Sequence, residues 1–441
     1  MRDIVITLIV LGSLPYIFKR PWFGVVMWIW ISVMNPHRLA YGFAYSFPFA
    51  AIIAAVTIVS LVLTKDDKRM PKSAIVWVIV AFTAHMGLTT LTAFYPATSF
   101  DAYLRIAKTM LMVLVAMMLI KTRQQIVIVI STLVGSLAYY GVKGGLFTVL
   151  TGGSYIVWGP EGSYIEGNNE IALAFITIIP MMYFLFQVAT NKWVKRALVI
   201  SMALCGMAAL GSYSRGALVG IAAMLLYFWW KSPKKVLMGA ILVALVPIGI
   251  MFMPAKWTER MDTINTYQQD ASAMGRINAW GMAKNLALDR PLVGGGIDIW
   301  TLSIFKIYGP IPDDVHAAHS IYFQVLGEHG FPGLILYLSL AVLTVRRSRW
   351  LIKVTDKRDD LRWAGQLGMM VQVSLLGFAV GGAFLSLVYY DVPYYLIAVI
   401  VCTCHLVEET FKAEARQARM LAQEQQRRGI APQPVAARAL S

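Results

Sequence analysis

A chain of 441 residues with 58% hydrophobic and 14% charged side chains, at a mean hydropathy of +0.63, has too little polar surface to cover a water-soluble domain. The solvent is therefore lipid, and the expected fold class is all-α, a polytopic integral membrane helical bundle. A formal net charge of +16 would also suit nucleic acid, but these basic residues sit in short loops between apolar runs, where they set topology and meet lipid headgroups; no nucleic-acid partner is expected.

Apolar runs of about 20 residues, the length a helix needs to cross a bilayer core, recur from end to end. The first, Ile4 to Phe18, is followed by Lys19 and Arg20 without a small-residue cleavage site, so it reads as a retained helix rather than a signal peptide. This run and the next, Phe23 to Asn35, each fall short of about 17 residues. Taken as one re-entrant or tilted unit they give about twelve transmembrane helices with both ends inside; taken as two spans they give about thirteen, with the amino terminus outside. The twelve-helix arrangement is the expectation.

Basic clusters at Lys65–Arg69, Lys121–Arg123, Lys192–Arg196, Lys231–Lys235 and Arg346–Arg362 mark cytoplasmic loops. The segments that alternate with them then lie outside: Asn35–Phe43, Tyr95–Leu104, Thr151–Asn169, Gly211–Gly216, Pro254–Ser320 and Tyr389–Tyr395. The chain divides into a first set of transmembrane helices (1–253), a long outer segment (254–320), the last transmembrane helices (321–410) and a basic cytoplasmic tail (411–441). The outer segment exceeds the length at which loops are usually functional or disordered, and it is too rich in aromatic and apolar residues for disorder. No inverted repeat of the transporter type stands out. Cys205, Cys402 and Cys404 lie in apolar runs without metal-ligand spacing and read as packing residues.

Residues able to carry chemistry gather in the outer segment. It holds Gly275-Arg276-Ile277-Asn278-Ala279-Trp280, then Asp289-Arg290-Pro291-Leu292-Val293-Gly294-Gly295-Gly296, and ends at His316-Ala317-Ala318-His319-Ser320 before a helical pattern that carries Tyr322, Phe323 and Glu328. A cluster of His and Glu invites a metal, but HExxH and other ligand spacings are absent, so neither metal nor cofactor is expected. These histidines could simply cap and anchor an interfacial helix. The sharper alternative is that a helix terminus holds His319 near neutral pKa, where it accepts a proton from a hydroxyl.

Upstream, Gly211-Ser212-Tyr213-Ser214-Arg215-Gly216 sets an arginine in a break between apolar runs near the outer leaflet, a costly position unless the charge is paired or used. Arg215 is either a snorkelling or carbonyl-capping residue or a guanidinium clamp for phosphate oxygens. Arg276 and Arg290 could add to such a clamp, as could Arg105 with Lys108 at the start of a helix on the same side. Several cations at one outer interface suit a lipid-linked diphosphate. Asn168 and Asn169 have an equal claim to helix capping and to binding sugar or phosphate.

These residues resemble the O-antigen ligase and O-antigen polymerase superfamily of bacterial envelope glycosyltransferases. The resemblance rests on Ser214-Arg215-Gly216, on Arg276 with Trp280, on Asp289-x-Pro291-Leu292-x-Gly294-x-Gly296, and on His319-Ser320-x-Tyr322 followed by Glu328-x-Gly330-x-x-Gly333, and it covers roughly residues 160–400. The opening stretch, with Arg20-Pro21-Trp22, Asn35-Pro36-His37-Arg38 and Phe47-Pro48-Phe49, resembles a branch described as O-glycosylation ligases encoded with exosortase systems. Ser320 departs from the pattern, since many members carry Asn after the histidine.

The resemblance implies a GT-C-like fold in the bacterial inner membrane, with the active site facing the periplasm and the carboxyl terminus in the cytoplasm. It implies a metal-independent, inverting transfer of glycan from undecaprenyl diphosphate to the lipid A-core oligosaccharide. In that reading His319 or Glu328 is the base, Arg215, Arg276, Arg290, Arg105 and Lys108 hold the diphosphate, and Asn169, Ser320 and Tyr322 position substrate. A ligase acting on protein hydroxyls or a polymerase would share this chemistry. A transporter of lipid-linked glycan is the reading from another class.

Overall fold

The computed structural model describes residues 1–65, 67–231, 235–262 and 271–428. The middle of the Lys231–Lys235 cluster, part of the outer segment and the end of the basic tail therefore lie outside the described residues. In chain order the helices are α1 (Arg2–Lys19), α2 (Pro21–Ile29), α3 (Phe49–Leu63), α4 (Ala74–Leu91), α5 (Pro96–Leu119), α6 (Arg123–Leu150), α7 (Asn168–Val188), α8 (Lys192–Gly211), α9 (Arg215–Lys231), α10 (Lys235–Phe252), α11 (Ala255–Asp262), α12 (Ala271–Asp289), α13 (Leu302–Tyr308), α14 (Ile321–Thr355), α15 (Arg362–Gly382) and α16 (Asp391–Arg427). No strand occurs among the described residues.

Local chemistry sets several of these boundaries. Thr122 and Gln125 form a reciprocal capping box that starts α6 just after the basic Lys121. Pro96 opens α5, where its missing N–H costs nothing. Among the described residues, eight helices are long and apolar enough to cross a membrane, α4 to α8 and α14 to α16, with shorter apolar helices at Pro21–Met34 and Phe49–Leu63. The chain is thus an all-helical, multi-pass membrane protein, and length and composition alone do not reach the count of twelve.

Polar contacts anchor α1 at both of its ends. Asp3 Oδ1 accepts hydrogen bonds from the amides of Gly42 and Ala44, both 3.1 Å, so the start of α1 is pinned to the loop after α2. At the other end of α1, Ser60 Oγ donates to the carbonyls of Ile17 and Phe18. The helix therefore runs alongside α3, and its first residues meet the 36–48 loop.

Helices approach closely where side chains are small. A β-carbon on Gly220 would lie 3.2 Å from the Gly377 carbonyl oxygen, and one on Gly216 would lie 3.2 Å from the Phe384 β-carbon. Gly216 and Gly220 on α9, with Gly377 and Gly381 on α15, form facing small-xxx-small stripes, which replace hydrophobic drive by close backbone contact in lipid. This contact carries the start of α9, and Arg215 with it, up to the connection between α15 and α16.

Residues 271–308 have an apolar core of their own, built from Ala279, Met282 and Leu286 of α12, with Ile299, Ile304 and Phe305. The glycine-rich strap 290–301 ties this core to the start of α14: the amides of Gly295 and Gly296 donate to the carbonyls of Gly327 (2.9 Å) and Glu328 (3.0 Å). Helix α14 breaks at Gly330, whose φ of 66° lies in the left-handed region.

Candidate active site

Asn169, Tyr213, Arg215, Gly216, Ser272, Arg276, His319, Phe384 and Leu385 line one cavity of about 190 Å³. Residues from six parts of the chain meet there: α7, the turn before α9, α9 itself, α12, the loop entering α14, and the α15–α16 connection. Asn169, Arg215, Arg276 and His319, expected from the sequence to work together, do converge.

The turn before α9 is held from several sides. Ser214 caps the helix by accepting from the Ala217 amide at 3.1 Å. The Tyr213 hydroxyl donates to the Gly153 carbonyl at 2.7 Å, and the Asn168 side chain donates to the Ser212 carbonyl at 2.7 Å. Gly167 is the cap of α7, so Asn168 stitches helices together and Asn169 faces the cavity. Arg215 occupies the first turn of α9, where the helix dipole already favours an anion. A guanidinium there adds to that preference, and Arg276 adds a second one from α12.

Among the described residues, Tyr213 (φ 60°) and His319 (φ 40°) are two of the non-glycine residues in the left-handed region, and both line this cavity. Such conformations persist only where the surroundings impose them. The half-buried His319 has its Nδ1 enclosed and without a hydrogen-bond partner among the described residues. Burial, then the positive charge of Arg276, then His316, lower its pKa from 6.5 to about 4. This is lower than the near-neutral value expected from the sequence. The imidazole is neutral at pH 7, as a proton acceptor must be.

The remaining sequence candidates lie elsewhere. Glu328 is fully buried two turns along α14, where Oε1 accepts from Trp300 Nε1 (3.1 Å) and Gln324 Nε2 (3.4 Å) and Oε2 accepts from the Tyr389 hydroxyl. It does not line the cavity. His329 sits beside it in the same buried row, with Nε2 2.7 Å from the Tyr389 hydroxyl and Nδ1 2.7 Å from Thr89 Oγ1. Arg290 is engaged with the Thr92 carbonyl and the face of Phe94, 4.5 Å from the ring centroid. Arg105 lies beside the Tyr164 hydroxyl and Asp298, and Lys108 is exposed on the same helix. Ser320 is buried at the start of α14 without a side-chain cap bond, and Tyr322 donates to the Ala379 carbonyl at 2.8 Å. None of these residues borders the cavity.

Sequence reasoning missed Tyr213, Ser272, Phe384 and Leu385. Tyr213 adjoins Ser214-Arg215 and could have been taken with it, whereas the other three carry no sequence signal of their own. Among the described residues, no three His, Cys, Asp or Glu side chains form a group that could hold a metal.

Residues 200–338 match the family model for O-antigen ligase, a span that contains Arg215, Arg276, His319 and Glu328. This segment belongs to the O-antigen ligase family. Residues 1–190 match a family of unknown function, DUF5935, and no curated protein matches the chain. The O-antigen ligase segment thus supplies all of the cavity's charged lining, while Asn169 comes from the region of unknown function and Phe384 and Leu385 from beyond both matches.

Proposed function

We propose that this protein is a glycosyltransferase of the bacterial inner membrane that moves a glycan from undecaprenyl diphosphate to an acceptor hydroxyl at the periplasmic face. The lipid A-core oligosaccharide is the acceptor to test first, which would make the reaction the completion of lipopolysaccharide. The observation that carries the reading is the meeting of Arg215, Arg276 and His319 in one cavity: two guanidiniums for a leaving diphosphate and a neutral imidazole for a hydroxyl proton.

In the proposed step the acceptor oxygen bonds to the anomeric carbon from the face opposite the leaving group. The bond from that carbon to the bridging oxygen breaks, and undecaprenyl diphosphate departs with the electron pair. His319 takes the hydroxyl proton, a contribution typically of about 10² to 10⁴ in rate. Arg215 and Arg276 offset the charge that grows on the bridging oxygen, so no metal is assigned a part. Donor binding also readies the base. The diphosphate counters the Arg276 charge that helps hold the His319 pKa down, so the imidazole becomes more basic once the donor is in place.

The test is transfer by purified protein in the presence of EDTA, with undecaprenyl-diphosphate-linked glycan as donor. Wild type is compared with His319→Ala and Arg215→Ala, using lipid A-core, acceptor protein and growing glycan in separate reactions. Transfer that survives the chelator and is lost in both variants supports the mechanism, and the acceptor that is labelled names the enzyme as lipopolysaccharide ligase, protein ligase or polymerase. Retained transfer in either variant refutes it.

A further inference from the structure

His319 lies at the end of an irregular loop, residues 309–320, just before the first turn of α14, in a backbone conformation that residues with a β-carbon rarely adopt. Something must hold it there. The Trp280 indole N–H donates to the carbonyl of Ala318, the preceding residue, at 2.7 Å. The same indole stacks on Phe323, four residues beyond His319, with centroids 5.1 Å apart and planes 8° from parallel. One side chain thus grips the chain on both sides of the histidine. From the opposite wall, Ser386 Oγ accepts the His319 amide hydrogen at 2.9 Å, one residue after the cavity-lining Leu385.

We propose that Trp280 and Ser386 are positioning residues, which fix the backbone around His319 so that its imidazole enters the cavity in one orientation. The inference rests on the reading of His319 as the proton acceptor. Trp280 and Arg276 are four residues apart on α12, neighbours on one helix face. The element that carries a diphosphate-binding cation therefore also carries the clamp on the base, and the spacing between the two is set by a single helical turn. Around the imidazole, the charged or titratable groups among the described residues are Arg276 and His316, the latter paired with Asp314 at 2.8 Å, with Arg215 and Tyr213 in the same cavity lining.

The test uses Trp280→Phe, which keeps a ring to stack on Phe323 and removes the N–H, together with Ser386→Ala and Ser386→Thr, all in the full-length protein in nanodiscs. Two readouts are taken. Steady-state transfer separates kcat from donor KM. Diethyl pyrocarbonate labelling of His319 as a function of pH, read by mass spectrometry, reports the imidazole without needing turnover. Expected for Trp280→Phe and Ser386→Ala are a fall in kcat of about 10- to 100-fold, donor KM within about 2-fold of wild type, and a labelling midpoint moved up toward 6.5 as the ring swings away from Arg276 into water. Ser386→Thr, which keeps the hydroxyl, restores both. An unmoved labelling profile, or kcat and KM changing together, overturns the positioning role even if wild type transfers glycan. A wild type that transfers nothing, with the labelling shifted as expected, instead overturns the functional reading and leaves the positioning role standing.

Discussion

The amide of Phe331 donates to the carbonyl of Pro291 at 2.9 Å, closing the strap of the outer segment onto the break in α14. Between the two partners sits Gly330, at φ 66°, where an added β-carbon would stand 2.5 Å from the Pro291 oxygen. Gly330→Ala must either break this bond or carry a strained backbone, and we expect it to cost about 2 kcal/mol or more. Thermal unfolding in detergent measures this as a lowered midpoint, and an unchanged midpoint would show that the strap does not depend on the turn.

Arg215 and Arg290 allow the proposed diphosphate role to be tested against a supporting one. Arg215→Lys keeps the charge but loses the planar fork that meets phosphate oxygens, so transfer should fall about 10²-fold with folding intact. Arg290→Ala loses the Thr92 bond and the Phe94 contact. Its cost is expected as about 1 kcal/mol of stability, with kcat/KM within about 2-fold of wild type. Equal losses of transfer in the two variants would return Arg290 to the diphosphate site.

The pH profile offers a signed prediction. The His319 pKa is about 4 in the folded protein against 6.5 as the ordinary value, so the acid limb of kcat/KM should fall near pH 4. Arg276→Gln removes one of the charges that hold the value down, and the limb should move toward higher pH. The linkage to folding has the matching sign. Between about pH 4 and 6.5 the unfolded chain binds more protons at this residue, so its contribution to stability is present above 6.5 and is lost as pH falls through that window. A limb that moves down in Arg276→Gln would contradict the assignment.

Tyr389→Phe removes the hydroxyl that joins Glu328 to His329. Two buried polar groups then lose a partner, which should lower stability by about 1 to 3 kcal/mol while donor KM stays within about 2-fold. Glu328→Gln should likewise affect unfolding more than turnover, because Glu328 does not border the cavity. Loss of turnover as complete as in His319→Ala would make Glu328 the base instead.

Much of this was legible in the sequence because lipid enforces simple rules. Apolar runs and basic loops gave the helices of the described bundle, and the cost of an arginine in an apolar setting singled out Arg215. The motif that ends at Gly294-x-Gly296 was legible as a pattern but not as a purpose. Its glycines are there for close approach: a β-carbon on Gly296 would lie 2.2 Å from that of Ala93, and one on Gly294 would lie 2.5 Å from the Gly327 oxygen. Arg290, inside that motif, is read from the sequence as a further phosphate ligand by its charge, whereas its bond to the Thr92 carbonyl is visible only in the fold. The place of Glu328 was hidden for a related reason. Nine residues from His319 in sequence, it lies along the rise of a helix rather than around it, and only the fold reveals that the rise carries it away from the cavity. The path of α1 was similarly hidden, since its apolar run Ile4 to Phe18 is short and the helix is tied here by Asp3, a polar residue with no spacing pattern.

The buried row of Glu328, Tyr389, His329 and Thr89 has a consequence that follows from counting hydrogens. Each hydroxyl owns one, and a neutral imidazole owns one. With Glu328 ionised, Tyr389 gives its hydrogen to the carboxylate, His329 gives from Nε2 to Tyr389, and Thr89 gives to Nδ1. With Glu328 protonated, the carboxyl gives to Tyr389, Tyr389 gives to Nε2, Nδ1 gives to Thr89, and Thr89 turns to the Met86 carbonyl, 2.9 Å away. Both arrangements satisfy the whole row, and they differ by a single proton. The chain thus carries through its interior a line of groups that can be satisfied in either direction, and the direction that fits depends on whether a carboxyl of α14 holds its proton, as far along as a threonine of α4.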